Sequence, residues 1–333
     1  MFIVRFLGLI LLILFTLIGF LWGGLALWYQ LPFGMAGNLG CLVVWAAIGF
    51  AVLWLEFKGR AWRALVVLVP VMIGLFYWWS TITPSLSRIW ADDVAQTVTG
   101  TLNGNEVTLS NVRNFEWRSP TDYTPRWEVR SYQLDDLESV DVFLSYWSNP
   151  AIAHTLVSFG FNGGDHVVFS AEIRKERHEQ FSEIGGFFKQ FELAMIAADE
   201  RDIIRLRTNI RKEDVYRYRL NLKPEMRQAL FLSYLDKANH LATMAKFYNT
   251  ITANCTTVIF DMVRAITPEL PFDYRLVFSG FLPGYLYDLG AIDRQKPLDQ
   301  VIKQASINKR ALDAAADPDF SAKIRVGDGQ AAN

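Results

Sequence analysis

Cysteine is nearly absent from this chain. Its 333 residues hold two, Cys41 and Cys255, and four histidines, His154, His166, His178 and His240. Cys41 lies in a long apolar stretch from which it cannot easily reach Cys255, so no disulfide framework is expected. The sequence contains no HExxH and no paired Cys/His spacing, and neither a metal nor a cofactor is expected. A phosphate-binding glycine loop, a dinucleotide fingerprint and internal repeats are missing as well.

Charge is missing from three windows: Phe6 to Tyr29, Leu31 to Leu55, and Ala64 to Ser87. Each reaches the ~20 apolar residues that cross a bilayer. LPFGMAGN (31–38) reads as a Pro/Gly loop, so the spacing predicts membrane-spanning helices near 5–28, 39–56 and 63–82, with Pro70 placed to kink the third. The first run far exceeds the ~7–15 residue core of a cleaved signal peptide, and two more spans follow it. Lys58, Arg60 and Arg63 lie between spans two and three, the first interhelical loop has no basic residue, and Arg5 precedes the first span. The positive-inside rule then puts the N-terminus in the cytoplasm and everything after about residue 83 on the opposite side. In a Gram-negative bacterium that side is the periplasm, and the membrane the inner one.

The whole chain carries a net −1; Arg5, Glu56, Lys58, Arg60 and Arg63 sum to +3, which leaves −4 for the remainder. A mildly acidic domain is a poor match for nucleic acid, whose binding rests on neutralising phosphates. The basic run 201–219 is interleaved with Asp202, Glu213 and Asp214 and reads as a solvated face.

Residues 83–145 read as a β-rich leading segment, with an Asn103–Gly104 hairpin turn. In IAHTLVSFGFNGGDHVVFSAEIR (152–174) two alternating strands flank Gly163–Gly164. Matching apolar face to apolar face fixes the register, because a one-residue slip inverts every side chain. An odd, bulge-type turn follows, and His154 shares a face with Ser170, Glu172 and Arg174. Residues 185–201 show helical spacing, 224–248 an amphipathic helix or helix pair, and 313–333 a polar, flexible tail.

In NCTTVIFDMVRAI, Asn254 is a good N-cap and Cys255 opens the helix. Unpaired N–H groups at a helix start favour a thiolate and can hold an oxyanion. A sulfur at a helix start, an imidazole on one strand and a carboxylate on the next form a nucleophile–base–orienter set. Plainer readings also fit: Cys255 as a small core residue, His154 as a satisfied sheet histidine, Glu172 as a partner of Arg174 or of another surface base.

The segments VRNFEWRS, IAHTLVSFGF, FSAEIRKER, GGFFKQFEL, DERDIIRLRTN, FYNTITANCTT and FSGFLPGYLYD together resemble the blocks of the Lnb-type N-terminal periplasmic domain family, across roughly 92–310. That family is named for a bacterial lipoprotein N-acyltransferase and is similar to circularly permuted members of the papain-like NlpC superfamily. The resemblance implies an α+β papain-like periplasmic domain over 146–312 behind three transmembrane helices (1–82). It also implies Cys255 as nucleophile, His154 as base, Glu172 or its rival Ser170 as the third polar member, and Asn254 and Ser170 on the substrate and oxyanion side. In the named acyltransferase the soluble domain comes first and the spans follow, whereas here the spans lead, so its substrate does not carry over. The function expected is a thiol acyltransferase or acyl hydrolase acting on a membrane lipid or lipoprotein. A cysteine amidase or peptidase acting on cell-wall peptides uses the same chemistry, and a membrane-anchored binding factor without activity is the third reading.

Overall fold

The three charge-free windows are helical. A computed structural model, which describes residues 2–315 and 317–326, places α1 at Phe2–Gln30, α2 at Gly34–Phe57 and α3 at Ala61–Thr81. All three are long and apolar enough to cross a membrane. The loop expected over 31–38 is shorter, because Asn38 ties the turn together: its Oδ1 accepts from Phe33 N at 3.3 Å and its Nδ2 donates to Leu31 O at 3.0 Å. Helix α2 therefore starts at Gly34. Helix α3 runs through Pro70. These helices, up to Ser85, form one unit with Phe181–Phe191, and Leu86–Gln180 with the chain from Glu192 onward forms a second.

The second unit is a mixed α/β domain. Its strands are β1 (Thr99–Asn103), β2 (Glu106–Arg113), β3 (Glu116–Trp117), β4 (Tyr123–Thr124), β5 (Trp127–Gln133), β6 (Leu137–Tyr146), β7 (His154–Phe161), β8 (His166–Arg174), β9 (Glu192–Ala198) and β10 (Asp214–Arg219). Among the described residues one sheet has the order β1-β2-β9-β8-β7-β6-β10, with β5 also paired to β2; β3 and β4 form a small ribbon. The helices are α4 (Glu200–Arg205), α5 (Pro224–Thr243), α6 (Cys255–Ile266), α7 (Leu282–Asp288), α8 (Leu298–Ala305), α9 (Asn308–Asp313) and α10 (Phe320–Lys323).

Both faces of the sheet are covered. Val157, Phe159, Phe169 and Met195 pack with Phe231 and Tyr234 of α5 and Val258 and Met262 of α6. On the other face Leu156, Val168 and Ile196 pack with Ile203 of α4, Ala311 of α9 and Phe320 of α10. This double burial explains one departure from the sequence reading. Residues 192–198, expected to be helical, form strand β9, buried at every position. A strand covered on both sides reads as a continuous apolar run, and periodicity cannot separate that from a buried helix.

Two expected boundaries also look different in space. The strands of the 83–145 segment join the same sheet as β7 and β8, since β6 pairs with β7 and β2 with β9. In the segment from 313, expected to be loose, Phe320 and Ile324 are fully buried. Arg325 reaches Glu200 Oε1 at 2.7 Å and Asp141 Oδ2 at 2.9 Å. Both carboxylates are buried, and a guanidinium is what makes that tolerable.

The register of β7 and β8 is the one that the apolar alternation requires. Val157 faces Phe169, Leu156 faces Ser170, and Gly163 and Gly164 turn the chain with φ of +89° and +93°. Only residues without a Cβ adopt such angles at no steric cost.

Candidate active site

Three adjacent strands bring polar side chains into one row. Ser145 of β6 pairs with His154 of β7, and the Leu156–Ser170 register, continued by two residues, sets His154 opposite Glu172 of β8. His154 Nε2 lies 2.7 Å from Ser170 Oγ and 3.1 Å from Glu172 Oε1. Ser170 Oγ donates to that same carboxylate oxygen at 2.7 Å. The histidine thus touches both candidates for the third position, and they touch each other. Arg174 does not compete for Glu172: it donates to the carbonyls of Val94 and Ala95 and covers the Trp90 ring at 4.5 Å.

Helix α6 supplies the sulfur. Asn254 Oδ1 accepts from Thr256 N at 2.9 Å and Thr257 N at 2.8 Å, and Thr257 Oγ1 accepts from Asn254 N at 2.9 Å, closing a reciprocal capping box. Such a cap contributes ~1 kcal/mol and fixes where the helix starts. Cys255 is the first helical residue and is buried. Thr256 Oγ1 meets Thr155 Oγ1 of β7 at 2.9 Å, which ties the helix start to the strand beside His154. Asn254, expected on the oxyanion side, spends its side-chain oxygen on the cap and its Nδ2 on Thr250 O. The amides of Thr256 and Thr257 are thereby used. Among the described residues the Cys255 N–H is the first-turn amide with no partner.

The thiol and the imidazole act on each other's charge. Burial pushes the Cys255 thiol up, but the adjacent His154 and the Thr155 and Thr256 hydrogen bonds outweigh it and bring the thiol below its usual range. Burial pushes His154 down; Glu172 and the sulfur pull it up, Arg207 opposes them, and the result is about 9. For Glu172, burial raises the carboxyl, whereas His154, Arg207 and Ser170 hold it well below the usual carboxylate range. Both shifts favour a thiolate beside an imidazolium oriented by a carboxylate, the arrangement that nucleophilic attack on an acyl carbon uses.

Sequence reasoning missed Arg207. The run 201–219 is not a solvated face: Arg207, Glu213 and Arg217 are buried, and Asp202 is fully so. After α4 the backbone widens into a π turn over Leu206–Ile210. Arg207 sits there and bridges Glu172 Oε1 at 3.1 Å and Glu213 Oε2 at 3.3 Å, and Glu213 in turn accepts from Ser145 Oγ. Asp202 takes Arg113 Nε at 2.8 Å, Phe115 N at 2.9 Å and Trp117 Nε1 at 2.7 Å. Arg207 and Glu213 are partners within the run, whereas Asp202 and Arg217 pair with Arg113 and Asp141 elsewhere in the domain.

Tyr234 of α5 also lies near the sulfur, fully buried, and burial holds its phenol well above the ordinary value, so it is a neutral hydroxyl. His166, at the turn, bonds Gly164 O and stays apart from the row. Among the described residues no group of three or more His, Cys, Asp or Glu side chains is placed to hold a metal ion.

All of these site residues fall within one stretch of chain that a family model recognises. Residues 123–280 match the Lnb N-terminal periplasmic domain. The match begins at β4 and ends before α7, and so includes Ser145, His154, Ser170, Glu172, Arg207, Asn254 and Cys255. It is the family that the sequence blocks resembled, over a shorter span than the 92–310 of that resemblance. No curated protein and no solved structure matches the chain. With three helices able to span a bilayer ahead of the stretch that matches a periplasmic domain, the chain is a membrane protein with a periplasmic segment.

Proposed function

We propose that this protein is a membrane-anchored periplasmic thiol acyltransferase or acyl hydrolase, with its N-terminus in the cytoplasm and its anchor in the bacterial inner membrane. The site would belong to a circularly permuted papain-like arrangement, in which the histidine strand β7 precedes the cysteine helix α6. The observation that carries the reading is the His154–Ser170–Glu172 cluster, whose imidazole lowers the buried Cys255 thiol at the start of α6. Lys58 and Arg60 between α2 and α3, with Arg63 in the first turn of α3, support that orientation.

In the reaction, the Cys255 sulfur attacks the carbonyl carbon of a lipid or lipoprotein acyl ester. A C–S bond forms and the ester C–O bond breaks, and the departing alkoxide takes the proton held by His154. The Cys255 N–H points the oxyanion role to the backbone, since the next two amides are capped. His154 then removes a proton from an acceptor amine or a water, whose nitrogen or oxygen attacks the thioester carbon. The C–S bond breaks and the thiolate returns. Glu172 holds the ring and stabilises its cationic form throughout.

The test is trapping of the thioester. The full chain in phospholipid vesicles carrying a fluorescent acyl chain should acquire that chain on Cys255, removable by neutral hydroxylamine and visible by intact mass. Labelling by a muropeptide donor instead would assign the site to cell-wall amide chemistry. Full turnover by Cys255→Ala would defeat both, and labelling by neither donor would leave the binding-factor reading.

A further inference from the structure

Phe181–Phe191 lies in the chain between β8 and β9, yet it belongs to the helical unit. We propose that this segment is an interfacial membrane element, with Phe181, Ile184 and Phe187 seated at the headgroup–acyl boundary of the bilayer that α1–α3 cross. The inference needs the helices to span a membrane and is independent of the chemistry at Cys255.

The segment is fastened to one end of the helix bundle. Gln30 Nε2, at the C-terminus of α1, donates to Phe188 O at 2.7 Å, and Tyr29 OH and Ser182 Oγ are 3.1 Å apart. Lys189 Nζ donates to Trp79 O at 2.7 Å and Ile82 O at 3.1 Å, satisfying carbonyls at the C-terminus of α3, and it lies 4.7 Å over the Trp79 ring. Phe188 stacks on Tyr29 at 5.7 Å and meets Trp79 edge-on at 6.4 Å. In an up-down-up bundle, the C-termini of α1 and α3 emerge on the same side of the membrane. Trp28, Tyr29, Tyr77, Trp78 and Trp79 gather at those two ends, the composition of an interfacial aromatic belt. The depth of the segment is therefore set by the helices that hold it.

What it turns outward is three large apolar side chains beside Glu183, which is exposed as well. Phe181, Ile184 and Phe187 are 55%, 52% and 40% exposed. They lead into and close the tight 3₁₀ turn Gly185–Phe187. The segment's cation, Lys189, is turned inward onto α3. The local geometry serves this shape: Lys189 is held at φ +56°, and a Cβ on Gly185 would come within 1.7 Å of Gln190 Oε1. Lipid is the occupant because the lipid-facing surface of α3, with Phe76 and Tyr77 exposed at 53% and 73%, leads up to the same end.

The experiment uses the full chain with Cys41→Ser and Cys255→Ser, a nitroxide on I184C or, independently, F187C, and vesicles of phosphatidylethanolamine and phosphatidylglycerol. Collision with oxygen is compared with collision with a water-soluble nickel chelate. I73C, mid-helix in α3 and 63% exposed, marks the bilayer interior, and N103C on β1 marks water. Labels at 184 and 187 should favour oxygen severalfold over their N103C ratio and fall short of I73C. Ratios at 184 and 187 equal to that of N103C, with I73C deep, would overturn the proposal and leave the spans standing. A water-like I73C would overturn the spans and the proposal together.

Discussion

Arg207 Nη2 stands 3.1 Å from Glu172 Oε1, the same oxygen that His154 Nε2 and Ser170 Oγ approach. One carboxylate oxygen therefore receives an imidazole, a hydroxyl and a guanidinium, and its charge is shared between a proton-carrying ring and a permanent cation. That sharing limits how strongly Glu172 can hold the proton on His154.

Replacing Glu172 by Gln removes the charge that most favours the imidazolium. His154 should fall from about 9 toward the unperturbed ~6.5, and the thiol should rise with it. Alkylation of Cys255 by iodoacetamide at pH 7 should slow by about tenfold or more, since the thiolate fraction follows the imidazolium. Ser170→Ala should slow it by only about two- to threefold. Equal losses in the two variants would make the serine a full partner.

Arg207→Gln should act in the opposite sense on the ring. Arg207 disfavours a second positive charge nearby, so its removal should move the alkaline limb of Cys255 alkylation above pH 9. The same variant leaves Glu172 and Glu213 without their cation, and breaking a buried pair costs about 3–5 kcal/mol. Urea unfolding measures the second effect and the alkylation profile the first. A destabilised protein with an unmoved profile would show that Arg207 serves stability alone.

Linkage gives a pH dependence of stability. His154 is raised in the folded state, so its contribution is fully present below about 6.5 and is lost as pH rises through about 9. Glu172 is depressed, so its contribution is present above its unfolded value of ~4.3 and is lost as pH falls through its lower folded value. Thermal melts of the wild type should show a decline between pH 6.5 and 9 that His154→Gln lacks.

Removing the chain from residue 317 onward deletes Arg325 and strands Asp141 and Glu200, both fully buried. Loss of one partner of a buried ion cluster costs about 3–5 kcal/mol. Arg217 stays 2.7 Å from Asp141 and offsets part of that loss. The truncated protein should unfold at distinctly lower urea concentration than the full chain, and Arg325→Met should reproduce most of the difference. An unchanged midpoint would mean that the C-terminal packing is incidental.

The sequence by itself determined what local rules govern. Charge-free windows set the three helices, because bilayer length and backbone hydrogen bonding leave little choice. Strand alternation and Gly163–Gly164 set the register that puts His154 opposite Glu172, because a slip would bury the wrong face. Asn254 set the start of α6, because four N–H groups at a helix end need acceptors. Tertiary structure decided the rest. Whether 192–198 was strand or helix depended on both faces of β9 being covered. Whether Arg207 and Arg325 were solvated or buried depended on carboxylates 35 and 184 residues away in the chain. That Phe181–Phe191 leaves the sheet to join the helices is visible only where Phe188 meets Tyr29 and Trp79. Pairings between residues distant in sequence carry no local periodicity, and for that reason only the folded chain reveals them.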